Sequence, residues 1–484
     1  MAAYGCTGGR ITMPRRPHLL LITTDQQRGD CLGIYGHPVL STPNFDYLGL
    51  EGGLFLHAYA EAPSCVPARR TIMSGLTPCR HGMVGYRDGV AWDPLHTLPG
   101  ELSAAGYQTQ LVGKLHLWPP RRRYGFDHMV LADGPHGDND YVDWLRRSGH
   151  DTPDAAMAHG VSGNAWVGRP SHLPESLHHG TWCVDEALRF LDRRDPSDPF
   201  FLWVSFHAPH PPLTPPDFYY DRYMHLDLPE PVIGDWAPNV PGPSVVFDPN
   251  ASRIHLTPEA MRRCRAAYYG LINHIDDQVG RLIEGLRRRG LYRDTLIAMT
   301  SDHGEMLGDH HLFRKTFAYE ASAHVPLLLR APDWMGGRRN LRIDQVAGLA
   351  DIMPTLLDAA GVDVPPEVDG KSLLPLVRGE TPPWRPYLHG EHSACYGPDD
   401  GMQYLTDGHE KYVWYTASGR EHLFDLDRDP RELHDRSADR EAADRLELWR
   451  SRLAEVLRDR PEGFSDGRRL IPGRKASTIL PPTP

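Results

Sequence analysis

Lysine is scarce in this 484-residue chain, standing only at Lys114, Lys315, Lys371, Lys411 and Lys475 among 52 Lys and Arg. An arginine-rich chain that keeps lysine at Lys114 and Lys315 points to sites needing a compact charge with a shiftable pKa. Net positive charge is also missing. At −11 the chain lacks the basic field of a nucleic-acid binder, so an anionic small substrate has to find local positive charge. Long apolar runs are absent: Leu19 to Ile22, the longest near the N-terminus, is too short for a signal-peptide core or a membrane span. Arg15-Arg16 precedes it as in twin-arginine export signals, but Thr23-Thr24-Asp25 ends the run at once. The segment therefore reads as the approach to a first strand, behind an extension up to Met13. A cytoplasmic protein with no membrane partner is expected. Seven cysteines at irregular spacing (Cys6, Cys31, Cys65, Cys79, Cys183, Cys264, Cys395) make neither a disulfide framework nor a zinc ribbon, and fit a reducing compartment.

What is present is an ordinary globular composition, 40% hydrophobic and 24% charged, at a length that suits one large domain and a smaller one. Four strand-like runs organise the large part, and each ends in polar residues. His18 to Thr24 runs into Asp25-Gln26, and Tyr107 to Val112 into Gly113-Lys114-Leu115-His116. Pro199 to Phe206 runs into His207-Ala208-Pro209-His210, and Thr295 to Thr300 into Ser301-Asp302-His303-Gly304-Glu305. Helical patterns lie between them at Pro99 to Ala105, Thr181 to Arg194 and Pro258 to Arg289. Alternating strands and helices predict a mainly parallel α/β sheet covered on both faces, whose ligands bind beyond the carboxyl ends of the strands. One Asp after a strand often caps a helix, and one His is more often structural. Four runs that deliver Asp, Lys, His and Asp-His to one edge are harder to explain by packing.

Cys65-Val66-Pro67-Ala68-Arg69 supplies a reactive group for such an edge. Pro67 suits the first turn of a helix and Gly75 its stop, so the pattern predicts a short helix over Pro67 to Ser74 with Cys65 just before it. Free N–H groups and the positive end of the helix dipole favour an oxyanion there, and Arg69 returns to the same face one turn later. The plain alternative is a buried structural cysteine in a loop.

Together these residues resemble the type I, formylglycine-dependent sulfatases of the alkaline-phosphatase superfamily over most of the chain. Cys65 to Arg69 matches that family's C-x-P-x-R motif. Thr42 to Asp46, Gly113 to His116, Pro209-His210-Pro211 and Ser301 to Glu305 resemble its other landmarks, in the same order. The resemblance implies an alkaline-phosphatase-like fold, a mainly parallel sheet sandwiched by helices, with a small C-terminal antiparallel sheet plus helix. It implies that a formylglycine-generating maturation enzyme oxidises Cys65, and that the hydrated product hydrolyses a sulfate monoester through a sulfated-enzyme intermediate. Asp25, Gln26, Asp302 and His303, with the modified Cys65, would hold one divalent cation. Hard oxygen ligands suit Ca2+ first, or Mg2+, while His303 in place of the amide of many relatives admits Mn2+. Arg69 and Lys114 would hold the formylglycine group, and His116 would accept from its second hydroxyl. His210 and Lys315 would bind the sulfate oxygens and stabilise the leaving oxygen.

Two alternatives stand beside this one. Phosphonate monoester or phosphodiester hydrolases of the same superfamily share the modified cysteine and the Asp-His pair but lack the Gly-Lys-x-His motif, which this chain keeps. A catalytically silent, carbohydrate-binding member would have no physical need of the full ligand set. The expected partner is a small-molecule or saccharide sulfate ester.

His324, where many relatives have Arg before Val-Pro, either tunes Lys315 or the substrate rim or is a bystander. Arg121-Arg122-Arg123 either covers a solvated face or attracts a polyanion. Specificity is expected from segments 128–179 and 211–255, with Trp144, Trp166 and Tyr219 as stacking candidates. From about Trp384 the runs shorten into hairpins at Met402 to Leu405, Lys411 to Tyr415 and His422 to Leu426, ahead of a charged helix from an N-cap at Ser437 to Arg458. The expected divisions are 14–384, 385–464 and a tail at 465–484, either a strap or loose.

Overall fold

Leu20 and Ile22 enter one hydrophobic core and Leu19 and Leu21 another, as side chains alternate along a strand buried on both faces. The computed structural model, which describes residues 15–133, 139–149, 160–243 and 248–481, is centred on this strand, β1 (His18–Asp25). There follow β2 (Gly53–Phe55), β3 (Ala58–Tyr59), β4 (Gln108–Gly113), β5 (His128–Leu131), β6 (Phe200–Pro209), β7 (Thr295–Ser301), β8 (Leu327–Arg330), β9 (Leu341–Ile343) and β10 (Ala347–Gly348). Among the described residues eight of these form one sheet in the order β5-β4-β6-β1-β7-β8-β2-β9, in which β8 alone runs against the rest. The four polar-ended runs of the sequence are β4, β6, β1 and β7, four adjacent parallel strands. Their registers pair Gly113 with Ser205, Asp25 with Pro209 and Thr24 with Ser301, so all four deliver their polar residues to one edge.

The helices His179–Arg193 and Pro258–Arg288 pack on the face that carries Phe200, Leu202 and Val204 of β6. Cys65–Ser74, Leu98–Ala104 and Ile352–Ala360 pack on the face of Phe201 and Trp203. Each fully buried side chain of this size contributes about 1.5–3 kcal/mol. Asp276 of the long helix accepts from the Phe45 N–H at 2.7 Å and the Asn44 N–H at 3.1 Å, and so caps the helix Pro43–Leu50. Burial pushes that carboxyl up to about 7. The Thr42-to-Asp46 landmark is thus a helix start held from the opposite layer.

One boundary differs in a way that matters. The helix expected at Pro67 begins at Cys65, with Ser64 extended at its N-cap and its carbonyl accepting from Ala68 N–H at 3.1 Å. Pro67 still lies in the first turn, where a missing N–H costs nothing. Gly75, at φ +67°, ends the helix as expected.

The C-terminal part is a four-stranded antiparallel sheet of β11 (Leu388–His392), β12 (Met402–Thr406), β13 (Glu410–Tyr415) and β14 (Glu421–Asp425). Tyr404, Val413 and Phe424 face the large unit, and Leu405, Tyr412 and Trp414 face the helix Ala443–Val456. β11 escaped the sequence reading because Leu-His-Gly-Glu-His shows no apolar alternation. Ser437 is not the N-cap of that helix. It sits in a separate 3-10 turn, where Asp435 accepts its N–H at 3.0 Å and its hydroxyl at 2.9 Å. The tail forms a strap: Val84 N–H donates to Thr478 O at 3.0 Å and Leu480 N–H to Gly82 O at 2.8 Å. Next to it, Ser393 N–H donates to Val84 O at 2.8 Å, and Ser393 Oγ lies 3.1 Å from Thr478 Oγ1 of the strap. Among the described residues no helix is long and apolar enough to cross a membrane. The extension up to Met13 lies outside the described residues.

Candidate active site

Cys65 opens its helix directly beneath the sheet edge, with its thiol fully buried. Lys315 Nζ lies 3.2 Å from the sulfur, His303 Nε2 3.2 Å, Asp25 Oδ1 3.7 Å and Lys114 Nζ 3.8 Å. Lys114 Nζ also pairs with Asp25. Lys114 reaches this spot because Gly113 (φ +104°) lets β4 turn against β6, where a Cβ would collide with the carbonyl oxygen of Ser205. Gln26 (φ +71°), His116 (+56°), Arg314 (+70°) and Thr316 (+79°) also hold left-handed backbone around the site, conformations that persist only where the surroundings enforce them.

Asp25, Cys65, Asp302 and His303 offer four ligand atoms that all lie within 4.8 Å of one another, and all four side chains are fully buried. His303 donates Nδ1–H to Gly304 O at 2.9 Å, which aims Nε2 at Cys65 and, at 3.6 Å each, at Asp25 and Asp302. A ring fixed by one hydrogen bond with its other nitrogen facing anions is the arrangement of a metal-ligating histidine. The electrostatics agree. Burial and the neighbouring Asp25 push the Asp302 carboxyl up, as expected for two like charges held side by side away from water. Burial and Cys65 also push Asp25 up, but Lys114, His210 and Arg69 outweigh them and hold it well below the carboxylate range. The Cys65 thiol, raised by burial, is carried far below its ordinary value by Lys114, Lys315 and His303. The donor set fits a divalent cation.

The remaining expected residues surround this group. Lys315 donates to His210 Nε2 at 2.8 Å and to Gln26 Oε1 at 3.0 Å, and His210 donates Nδ1–H to Pro211 O at 2.7 Å. Burial and Lys315 hold His210 neutral, at about 4. Gln26 therefore stands beside the four ligand atoms with its amide oxygen taken by Lys315 and its amide N–H by Glu305. Arg69 makes contacts that the sequence did not indicate. Its Nε donates to Asp302 at 2.9 Å, Nη1 to Ser205 Oγ and to Lys114 O at 2.9 Å each, and Nη2 to Asp25 at 3.5 Å. A guanidinium fork one turn along the helix matches two carboxylates better than one sulfur, so it braces Asp25 and Asp302. His116 donates Nε2–H to Asp88 at 3.0 Å, while its buried Nδ1 has no hydrogen-bond partner among the described residues. Burial and Lys114 press the His116 pKa down, but Asp88 and Cys65 carry it above its ordinary value.

Asp88, Ser205, Glu305 and His392 were missed as participants. Glu305 lies within a quoted motif, whereas Asp88 sits in an exposed turn with no pattern to mark it. His392 bonds Ser64 Oγ at 2.8 Å and belongs to the unrecognised β11. The site opens into a cavity of about 540 Å³ walled by Tyr86, Asp88, Trp118, Asn164, Arg314 and Tyr396, among others. The proposed stackers do not line it: Trp144 stacks on Tyr141, Trp166 packs against the core, and Tyr219 is held by Asp277 at 2.8 Å. His324 is turned to Leu56 O at 3.1 Å and Glu320 at 3.4 Å, so the bystander reading holds and it does not tune Lys315 by contact. Arg121 is paired with Asp140 at 2.9 Å and Arg122 with Asp93, which leaves little of the triplet for a polyanion.

Comparison with known proteins gives the arrangement a family. A model described as sulfatase matches residues 17–362, and one described as the C-terminal part of N-sulphoglucosamine sulphohydrolase matches residues 308–459. The chain is 41% identical to an arylsulfatase of Clostridium perfringens, over 96% of this chain and 99% of that protein. It is 31% identical to a choline-sulfatase of Rhizobium meliloti, over 86% and 82%. The solved phosphonate monoester hydrolase of Agrobacterium radiobacter superposes with a TM-score of 0.79 at 29% identity, covering 91% of this chain and 95% of that one. With the parallel sheet, its polar edge and these matches in hand, the chain belongs to the sulfatase family of the alkaline-phosphatase superfamily, enzymes that hydrolyse sulfate monoesters.

Proposed function

We propose that the chain hydrolyses small sulfate esters, aryl sulfates among them, with Cys65 in its oxidised, formylglycine form as the nucleophile. The observation that carries this reading is the fully buried Cys65 sulfur with two lysine ammonium groups and His303 around it, beside two carboxylates. Asp25, Cys65, Asp302 and His303 would hold the cation, with Gln26 at its margin. Ca2+ is the proposed ion, with Mn2+, which the imidazole ligand admits, and Mg2+ as the rivals. The cation would supply Lewis acidity to an oxygen ligand and to the ester. The formylglycine hydrate would supply one hydroxyl to attack sulfur and a second to release it.

The chain's own side chains set the rest. Arg69 donates to both Asp25 and Asp302 and offsets part of their mutual repulsion. Lys315 keeps its charge: burial works against it, but Cys65, Asp25 and Asp302 raise its pKa. With neutral His210 it faces the position where negative charge grows on the ester oxygen. Lys114 ties Asp25 to residue 65. His116 takes a proton at Nδ1, the nitrogen left free by its bond to Asp88.

The test is a panel of aryl sulfates, sulfated sugars and a phosphonate monoester, assayed on protein coexpressed with the maturation enzyme. Higher kcat/KM on the sulfates is expected. A preference for the phosphonate would overturn the reading in favour of the second branch of the superfamily. Chelation should abolish turnover, and adding back Ca2+, Mg2+ and Mn2+ separately should rank the ion. A smaller effect is expected of Asp88→Asn. Removing the carboxylate charge that favours the imidazolium lowers the His116 pKa, so the neutral base persists into more acidic solution and the acid limb of the kcat/KM profile moves to lower pH. The shift should shrink in high salt because Asp88 is exposed. A shift to higher pH would remove His116 as the base.

A further inference from the structure

Metal-binding side chains converge at a second place, away from the catalytic edge. Among the described residues one other group of His, Cys, Asp or Glu side chains brings three ligand atoms within 4.8 Å of one another, at His57, Asp344 and His409. His57 Nε2 lies 3.2 Å from one oxygen of Asp344, and His409 Nε2 lies 3.3 Å from the other. The three come from separate parts of the chain. β2 and β9 are parallel neighbours, with Phe55 opposite Ile343, so His57 and Asp344 leave the same edge together. His409 stands in the β12–β13 turn of the C-terminal sheet, whose Gly408 packs on the His57 ring.

We infer that His57, Asp344 and His409 form a surface site for one divalent transition-metal ion of the Zn2+ class, with water completing its coordination. His409 carries the argument. It donates Nδ1–H to Asp427 at 2.9 Å, which leaves Nε2 facing a carboxylate. A lone pair and an anion at 3.3 Å repel unless a second proton or a cation lies between them. The carboxylate on the far nitrogen is also the outer partner that orients metal-ligating histidines. Spacing agrees. Tetrahedral bonds of about 2.0–2.1 Å put neighbouring ligand atoms roughly 3.3 Å apart, close to both measured separations. Two imidazoles and one carboxylate suit Zn2+, Co2+ or Ni2+ and not Ca2+ or Mg2+, so this site and the oxygen-rich catalytic one would select different ions.

The frame is built before the ion arrives. Ala347 N–H donates to His57 O at 2.8 Å, Leu56 N–H to Ile343 O at 2.9 Å, and Leu426 N–H to His409 O at 2.7 Å. Asp407 accepts from the N–H groups of His409 and Glu410 at 3.0 and 2.8 Å. The ion would clamp the C-terminal sheet onto the edge of the main sheet. This inference does not depend on the sulfatase reaction.

Calorimetric titration of the holoenzyme with Zn2+, its catalytic cation in place, tests it. One saturable equivalent is expected, with a rise in Tm, and the same equivalent in Asp302→Asn, which alters only the catalytic set. His57→Ala and His409→Ala should lose the equivalent and the Tm rise while keeping aryl-sulfate turnover. Asp427→Asn should weaken binding by about 10-fold or more. No saturable equivalent, one that both histidine variants retain, or one that vanishes with Asp302→Asn would overturn the assignment. An absence of binding with both imidazoles protonated by NMR would make the cluster a proton-held ion pair instead.

Discussion

Cys65→Ala is expected to lower sulfate-ester turnover by on the order of 10⁴-fold or more, as removal of a covalent nucleophile does elsewhere. The reason lies in how much converges on this one atom. Lys315, Lys114 and His303 all approach Sγ within 3.8 Å, and among the described residues Cys65 is the one thiol in that group. The fold should survive, since alanine is tolerated at the first helical position and removing an anionic sulfur relieves the crowding of Asp25 and Asp302. Circular dichroism and Tm should therefore stay close to those of the parent while the initial rate on an aryl sulfate disappears. Mass spectrometry of the parent peptide containing Cys65 should find aldehyde in place of thiol in the active preparation. Turnover close to that of the parent would remove Cys65 from the reaction.

Arg69→Ala is expected to cost stability as well as activity, by about 3–5 kcal/mol in urea unfolding of cation-free protein, because it leaves buried Asp302 without its guanidinium partner and Asp25 with Lys114 alone. Arg69 is 1% exposed, and Asp25 and Asp302 are fully buried, so water cannot take its place. The loss should be smaller when Ca2+ or Mn2+ is present, since a cation would compensate the same two groups. Arg69→Lys should fall between, keeping the charge but losing the fork that reaches Asp302, Ser205 and Asp25 together. Equal stability of parent and Arg69→Ala without cation would show that the two carboxylates share a proton and need no brace. The rise of Asp302 toward the neutral form is the tendency such a result would reflect.

The polar edge was legible because β1, β4, β6 and β7 are buried on both faces, and a nearly unbroken apolar run makes the first charged residue after it conspicuous. Asp25, Lys114, Asp302 and His303 stand out in this way, and the structure brings them within reach of Cys65. Lysine scarcity marked Lys315 without any strand to point to it. What stayed hidden has no local signature. The pairing of Asp88 with His116 crosses 28 positions and rests on an exposed turn, and Ser64 meets His392 from a strand that carries glycine and two histidines. The brace that Arg69 gives Asp25 and Asp302 was hidden for a related reason: helical spacing gave its face, but only the positions of the two carboxylates decide which anions the fork meets. Tyr86, Trp118 and Tyr396 line the cavity from three separate loops, whereas the aromatics singled out earlier turned inward.

The strap has a consequence for the order in which the enzyme can be completed. Residues 478–480 pair with Gly82 and Val84, directly before the turn that carries Tyr86 and Asp88, and Ser393 pairs with both Val84 and Thr478. The wall of the cavity is therefore sewn down by segments made about three hundred and nearly four hundred residues after it. A chain cut at 465 keeps every ligand and every nucleophilic group yet leaves one flank of the Gly82–Val84 segment open to solvent. During synthesis the reactive edge exists long before the turn that orients its base is fastened, so the growing chain carries its chemistry ahead of its control.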